Sequence, residues 1–126
     1  MTSHILIIDD DAIFRLLILK LIRGIDDKVI CYQCENGEVG LKTLEPMLSS
    51  SDSIIVLLDI NMPVLNGWEV LDQLEKKKID KHKNLTLYIT TSSIDENDIL
   101  KAEQHPIVKK FYSKPLSVQD LKSILN

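Results

Sequence analysis

The chain has 126 residues, a length that fits one domain. Its 15 basic and 19 acidic side chains give a formal net charge of −4, which argues against nucleic acid as the main partner, because phosphate backbones bind basic surfaces. No apolar run approaches the roughly 18 residues of a membrane helix, and no secretory leader is visible, so we expect a cytoplasmic protein without a membrane partner.

Five short apolar segments predict β-strands, and segments of helical length follow them. The strands are expected at 4–9, 28–34, 54–59, 85–90 and 107–112. The first three helices are expected at 11–24, 37–48 and 66–78. Gly24 is the expected C-cap of the first helix and Asn36 the N-cap of the second. Capping boxes at Ser93–Glu96 and, more loosely, at Ser117–Asp120 predict where the last two helices begin.

Five consecutive strand–helix units predict a parallel sheet with helices on both faces. Right-handed crossovers leave few strand orders, and the flavodoxin-like order 2-1-3-4-5 places strands 1 and 3 side by side. We therefore expect an α/β fold, a doubly wound (βα)5 domain that spans 1–126, with no output domain in this chain. This order would bring Asp9 and Asp10 next to Asp59.

Cysteine and histidine positions do not indicate a redox or metal site. Cys31 and Cys34 form a C-x-x-C pair, but they lie in a predicted strand, where residues three apart point to opposite faces. The three histidines, His4, His82 and His105, lack the spacing of metal ligands.

Charged side chains follow three of the predicted strands. Asp9 and Asp10 follow strand 1, Asp59 follows strand 3 and Lys114 follows strand 5. Because ligands bind at the carboxyl ends of parallel strands, these groups should converge on one pocket. Carboxylate oxygens suit Mg²⁺, with Mn²⁺ as an alternative ion. A carboxylate can also attack a phosphoryl group to give an acyl phosphate, and we expect Asp59 to do so while Lys114 neutralises the phosphoryl oxygens.

Strand 4 ends in the hydroxyl run Thr90-Thr91-Ser92-Ser93, which can donate a hydrogen bond to a phosphoryl oxygen. With these motifs the chain resembles the receiver domain of two-component response regulators, of the stand-alone, chemotaxis-regulator-like kind, over essentially its whole length. The resemblance rests on Asp9-Asp10, Asn36-Gly37, Asp59 in the run Leu58-Asp59-Ile60-Asn61-Met62-Pro63 with Gly67 after it, Thr91-Ser92 and Lys114-Pro115.

The resemblance implies a role for each site residue. Asp59 would be the phosphoacceptor, and its donor would be a histidine kinase or a phosphotransfer protein. Asp9, Asp10, Asp59 and the backbone carbonyl of Asn61 would bind Mg²⁺. Lys114 would pair with the phosphoryl group, and its peptide bond to Pro115 would be cis.

A second set of residues would respond to phosphorylation. Thr91 is the expected switch hydroxyl, because a small residue follows it; Thr90 is the alternative, one register away and facing the other side of the strand. Phe111, three residues before the lysine, is the expected switch aromatic and lacks a hydroxyl. Asn61 and Ser93 would tune self-dephosphorylation.

The implied output is a change in a protein-binding surface formed by helix 4, strand 5 and helix 5, read by an unknown downstream protein. The chain would then be a stand-alone regulator or, as the alternative, a phosphate shuttle in a phosphorelay, and not a dedicated enzyme. The first helix is strongly apolar, and two explanations are open: the helix is simply well buried, or it exposes Phe14 and Ile18 as a docking surface for the donor.

Other classes of protein explain less of the sequence. A haloacid-dehalogenase-type phosphatase would use Asp9 as its nucleophile, with Asp11 two residues on, but would leave the segment around Asp59 unexplained. A flavodoxin-type FMN binder would suffer repulsion between its phosphate and the acidic first loop. A receiver-like scaffold that is never phosphorylated would have no use for the complete set of acidic, hydroxyl and lysine side chains.

Overall fold

The computed structural model describes residues 2–50, 52–79 and 82–126. The strands are β1 (Ser3–Ile8), β2 (Ile30–Cys34), β3 (Ser53–Leu58), β4 (Leu85–Thr91) and β5 (Val108–Ser113). The helices are α1 (Ala12–Ile25), α2 (Gly37–Met47), α3 (Gly67–Lys76), α4 (Glu96–Gln104) and α5 (Val118–Leu125). Within the described residues, no helix combines the length and the apolar character that crossing a membrane requires.

The five strands form one parallel sheet in the order β2-β1-β3-β4-β5, so the predicted flavodoxin-like topology is confirmed. β1 and β3 are neighbours, and their register pairs Ile8 with Leu58. The ladder continues as the backbone N–H of Asp59 donates to the carbonyl of Ile8 over 3.0 Å. This pairing fixes Asp9 and Asp59 next to each other at the carboxyl edge.

Successive strand residues point to opposite faces of the sheet and pack into two apolar layers, one on each face. The α1–α5 layer contains Ile7, Leu57, Tyr88 and Tyr112, packed against buried residues of α1 and α5. The α2–α4 layer, on the opposite face, contains strand residues such as Ile8 and Leu58, packed against α2, α3 and α4. Burial on both faces explains why the central strands are continuous apolar runs.

α1 matches neither of the two expectations in full. Phe14 and Ile18 are only 8% and 0% exposed, because they lie with Ile22 at four-residue intervals on the face toward the sheet. The exposed apolar side chains are instead Ile13 (81%), and Leu16 and Leu17 (48% each).

Two predicted helix ends were also wrong. α1 continues through Gly24 to Ile25 and has Asp26 as its C-cap. α4 begins after Asp95, whose carboxylate accepts from the N–H of Asn97, so the N-cap lies two residues beyond Ser93. Ser93 instead donates its hydroxyl to Asp98 Oδ2 over 2.9 Å. The N-cap at Asn36 and the capping box that begins at Ser117 are confirmed.

Candidate functional site

The acidic side chains that follow β1 and β3 converge at the carboxyl edge of the sheet. Asp9 and Asp59 are buried, whereas Asp10 is exposed. Each of the three offers a carboxylate oxygen, and these oxygens lie within 4.8 Å of one another. Asp11 instead caps α1 by accepting from the N–H groups of Ile13 and Phe14, so the acidic run serves both the pocket and the helix.

Lys114, directly after β5, places its ammonium between two of these carboxylates. Its Nζ lies 2.6 Å from Asp9 Oδ2 and 3.6 Å from Asp59 Oδ2. The backbone N–H of Lys114 donates to the carbonyl of Thr91 over 2.9 Å, and the Lys114–Pro115 peptide is cis, as predicted. The end of β5 is therefore tied to the end of β4, with the side chain directed into the pocket.

The charges of the pocket are unbalanced. Burial, followed by the negative charge of Asp9, raises the pKa of Asp59 from 3.8 to about 6, while Lys114 acts in the opposite direction. One ammonium faces three carboxylates, so the ionised pocket carries excess negative charge.

This donor set fits a divalent cation such as Mg²⁺, which prefers oxygen ligands. Asp9 Oδ1 already accepts from the backbone N–H of Asp11 over 2.9 Å, which orients the carboxylate. Asp9 Oδ2 pairs with the Lys114 ammonium at 2.6 Å and has no further hydrogen-bond partner among the described residues, so one of its lone pairs remains available for a cation. A cation would relieve the repulsion that raises the pKa of Asp59.

The loop after Asp59 is held by the start of α3. The N–H of Gly67 donates to the carbonyl of Ile60 over 2.8 Å, and a Cβ at Gly67 would lie 2.4 Å from the Asp59 carbonyl oxygen. Asn66 caps α3 in a reciprocal capping box with Glu69. Glycine is thus required here by close approach of the backbone, a role that sequence reasoning did not assign to it.

The two threonines that end β4 face opposite sides of the sheet, as alternation predicts. Thr90 pairs with Tyr112 of the α1–α5 layer, and its buried hydroxyl has no hydrogen-bond partner among the described residues. Thr91 is fully buried, and its Oγ1 accepts from the N–H of Ser93 over 3.1 Å. Phe111 packs against the α2–α4 layer, on the same side as Thr91.

Two contacts at the site were not foreseen. The Phe14 ring lies beneath the Lys114 ammonium, with 4.2 Å between Nζ and the ring centroid. Arg15 donates from Nη1 to the carbonyl of Asp9 over 2.5 Å and from Nε to Gln33 Oε1 over 3.2 Å. The four-residue spacing of Phe14, Ile18 and Ile22 could have placed Phe14 on the inner face, but nothing local in the sequence indicates its contact with a residue 100 positions away.

Known proteins with similar sequences include a response regulator and a methylesterase. The nitrate/nitrite response regulator protein NarL of Escherichia coli (strain K12) is 34% identical over 100 residues, which make up 79% of this chain and 43% of NarL. A protein-glutamate methylesterase/protein-glutamine glutaminase of Treponema pallidum (strain Nichols) is 36% identical over 76 residues, or 60% of this chain and 18% of that protein. The chain therefore spans less than half the length of either relative.

Solved structures and a family model complete the comparison. A two-component response regulator from Cytophaga hutchinsonii superposes with a TM-score of 0.85 at 29% identity, covering 99% of this chain and 95% of that one. A response regulator receiver protein from Dyadobacter fermentans has a TM-score of 0.80 at 22% identity, covering 98% and 95%, and supports the fold alone. The model of the response regulator receiver domain matches residues 5–126, and the chain belongs to this family.

Proposed function

We propose that Asp59 accepts a phosphoryl group from a histidine kinase or a phosphotransfer protein, in a reaction that depends on Mg²⁺. The convergence of Asp9, Asp10, Asp59 and Lys114 at one sheet edge carries this proposal. Asp59 is a buried carboxylate close to the Lys114 ammonium and to two further carboxylates. That arrangement suits a nucleophile whose product is an anionic acyl phosphate.

The proposed step is an in-line transfer. A carboxylate oxygen of Asp59 forms a bond to phosphorus as the bond between phosphorus and the donor histidine nitrogen breaks, and the electron pair leaves with the imidazole. Asp9, Asp10 and the carbonyl of Asn61 would hold Mg²⁺, which when bound supplies charge neutralisation at the phosphoryl oxygens. Lys114 would exchange part of its contact with Asp9 for one with the transferred group.

The proposed switch begins at Thr91. Its hydroxyl oxygen accepts a bond from Ser93, which leaves its proton free to bond a phosphoryl oxygen. Ser93 is in turn bonded to Asp98 in α4, so movement of Thr91 would disturb the start of that helix. Phe111, half-buried on the same side of the sheet, would repack. The surface of α4, β5 and α5 would then change for a downstream protein partner.

Docking of the donor is proposed to involve the outer face of α1. Ile13, Leu16 and Leu17 form an exposed apolar strip on the helix that starts beside the acidic pocket. Leu17→Ser should slow transfer from a histidine kinase and leave uptake from acetyl phosphate unchanged. Equal rates for variant and wild type with the kinase would remove this part of the proposal.

The role in the pathway is proposed as that of a regulator that binds a protein partner in the cytoplasm, with a phosphorelay shuttle as the second candidate. Asn61 is exposed two residues after Asp59, and the Ser93 hydroxyl donates to Asp98; both residues are proposed to tune the attack of water on the acyl phosphate. A long-lived adduct would favour the shuttle, because a shuttle must keep its phosphoryl group until the next protein binds.

The test is uptake of one phosphoryl group from acetyl phosphate, followed by intact mass with and without Mg²⁺. The wild type should gain one group only when Mg²⁺ is present, and Asp59→Asn should gain none. An unmodified wild type with its fold intact would contradict the proposal. So would phosphatase turnover that persists in Asp59→Asn, since it would point to Asp9 as the nucleophile.

A further inference from the structure

The ammonium of Lys114 is enclosed by two carboxylates and one aromatic ring. Asp9 Oδ2 lies at 2.6 Å, Asp59 Oδ2 at 3.6 Å and the centroid of the Phe14 ring at 4.2 Å. The side chain of Lys114 is only 14% exposed, and that of Phe14 is buried. A cation this close to a ring face, within the ~6 Å limit for attraction, is stabilised by the ring's quadrupole, and more strongly where water is excluded.

We propose that Phe14 is a positioning residue for Lys114: its ring face keeps the ammonium beside Asp59 during phosphoryl transfer. The proposal rests on the phosphoacceptor function proposed above. It assigns a role at the reacting centre to a side chain of α1 that supplies neither a metal ligand nor a hydrogen bond.

Lys114 needs such support because Asp9, its ion-pair partner, is also suited to bind a cation. The shorter ion pair is with Asp9, yet Asp9 is also one of the carboxylates suited to a cation. Once Asp9 engages a cation, the ammonium loses part of that partner and meets a nearby positive charge. A lysine side chain has four flexible carbons and could then swing toward solvent.

The ring can hold the ammonium without competing for its hydrogens. An ammonium has three N–H donors, and a ring face attracts the charge while leaving those donors free for carboxylate or phosphoryl oxygens. The ring also has a fixed place. Phe14 lies in the first turn of α1, where its N–H donates to the Asp11 cap over 3.2 Å, and it packs with Ile18 in the α1–α5 layer.

Two replacements of Phe14 separate electrostatic positioning from packing. Phe14→Leu keeps an apolar side chain but removes the ring. Trifluorophenylalanine introduced at position 14 keeps the ring's shape and weakens the negative potential of its face. Ile18→Val is the matched control, since it perturbs the same helix face in the core one turn further from the ammonium.

The rate of phosphorylation by acetyl phosphate is measured at saturating Mg²⁺, together with the Mg²⁺ affinity of each protein. We expect Phe14→Leu and the fluorinated protein to lose about 3- to 10-fold in rate, while Mg²⁺ affinity stays within about 2-fold of wild type or becomes tighter. Ile18→Val should keep the wild-type rate. In NMR spectra, the ε-methylene protons of Lys114 should be shifted upfield by the ring in the wild type and lose that shift in Phe14→Leu.

A fluorinated protein with the wild-type rate would overturn the inference, as would equal losses in Phe14→Leu and Ile18→Val, because either result would reduce Phe14 to a packing residue. If the wild type forms the adduct and Phe14→Leu is phosphorylated at the same rate, the inference is rejected but the proposed function stands. A wild type that forms no adduct rejects the proposed function and the inference together.

Discussion

Asp59 is a buried carboxylate with a perturbed pKa at the centre of the proposed site. Its pKa is raised to about 6, first by burial and then by the charge of Asp9. The folded state therefore holds a proton on Asp59 between about pH 4 and pH 6, where the unfolded chain has lost it. In the metal-free protein, the contribution of Asp59 to the free energy of unfolding therefore falls as the pH rises from about 4 to about 6. Above about pH 6 this contribution is constant.

Asp59→Asn should accordingly stabilise the metal-free protein above about pH 6, by on the order of 3 kcal/mol, because the neutral amide avoids the buried charge. Below about pH 4 the two proteins should have nearly equal stability, since Asp59 is then protonated in both states. Urea unfolding at the two pH values measures this difference. A difference that is the same at both pH values would contradict the assigned cause.

Val64, in the loop after β3, has a φ of 72°, a left-handed conformation that a β-branched residue adopts at a cost. We expect Val64→Asn to stabilise the protein by about 1 kcal/mol, because asparagine tolerates this conformation. Ile94→Asn is the control: Ile94 is also an exposed apolar loop residue, but its φ is not positive. A thermal shift of the same size in both variants would assign the gain to lost surface hydrophobicity.

At the scale of elements, the site depends on how each strand end is joined to the next helix. The Asp59 loop returns so tightly to the start of α3 that a Cβ at Gly67 would clash with the backbone of Asp59 and Ile60. The start of α1 also shapes the site. Asp11 caps this helix beside the acidic pocket, and the first turn contains Phe14, whose ring lies beneath Lys114. The helices thus position the pocket as directly as the strands do.

Gly67→Ala tests the contact between α3 and the loop that follows Asp59. The added Cβ would meet backbone atoms, which cannot move aside as a flexible side chain can, so we expect a loss of about 1–3 kcal/mol and slower phosphorylation. Gly24→Ala is the matched control, because Gly24 lies within α1 with nothing within 4 Å of an added Cβ. That variant should be more stable by about 0.5–1 kcal/mol. A harmless Gly67→Ala would show that the loop is not held closely.

For the molecule as a whole, the sequence was sufficient to predict the sheet, because the strands are apolar runs at regular intervals along the chain. The five apolar runs and the spacing between them predicted the sheet, and the strand ends located Asp9, Asp59 and Lys114 together. Contacts that depend on tertiary packing were not predictable. The contact of the Phe14 ring with Lys114 depends on how α1 rotates against the sheet, and local propensity carries little information on that rotation. The inner face of α1 itself could be read from the four-residue spacing of Phe14, Ile18 and Ile22. The N-cap of α4 was ambiguous in the sequence, because Ser93 and Asp95 are both favoured N-cap residues.

The fluorescence of Trp68, the single tryptophan of the chain, can report whether phosphorylation at the pocket moves α4. Lys101 of α4 lies 4.4 Å from its ring centroid, so movement of α4 should change its emission. We expect phosphorylation to change Trp68 fluorescence in the wild type. Thr91→Val should form the adduct with a much smaller change, because it lacks the hydroxyl that would pull the loop toward the phosphoryl group. An undiminished change in Thr91→Val would exclude this route.

The central claim is that Asp59 carries the phosphoryl group, and trapping the acyl phosphate tests it most directly. Borohydride reduces an aspartyl phosphate to homoserine, which peptide mass spectrometry can assign to one position. After incubation with acetyl phosphate and Mg²⁺ and rapid reduction, we predict homoserine at position 59 and unmodified Asp9 and Asp10. Homoserine at position 9 or 10, or at no position in a protein that has gained a phosphoryl group, would contradict the account.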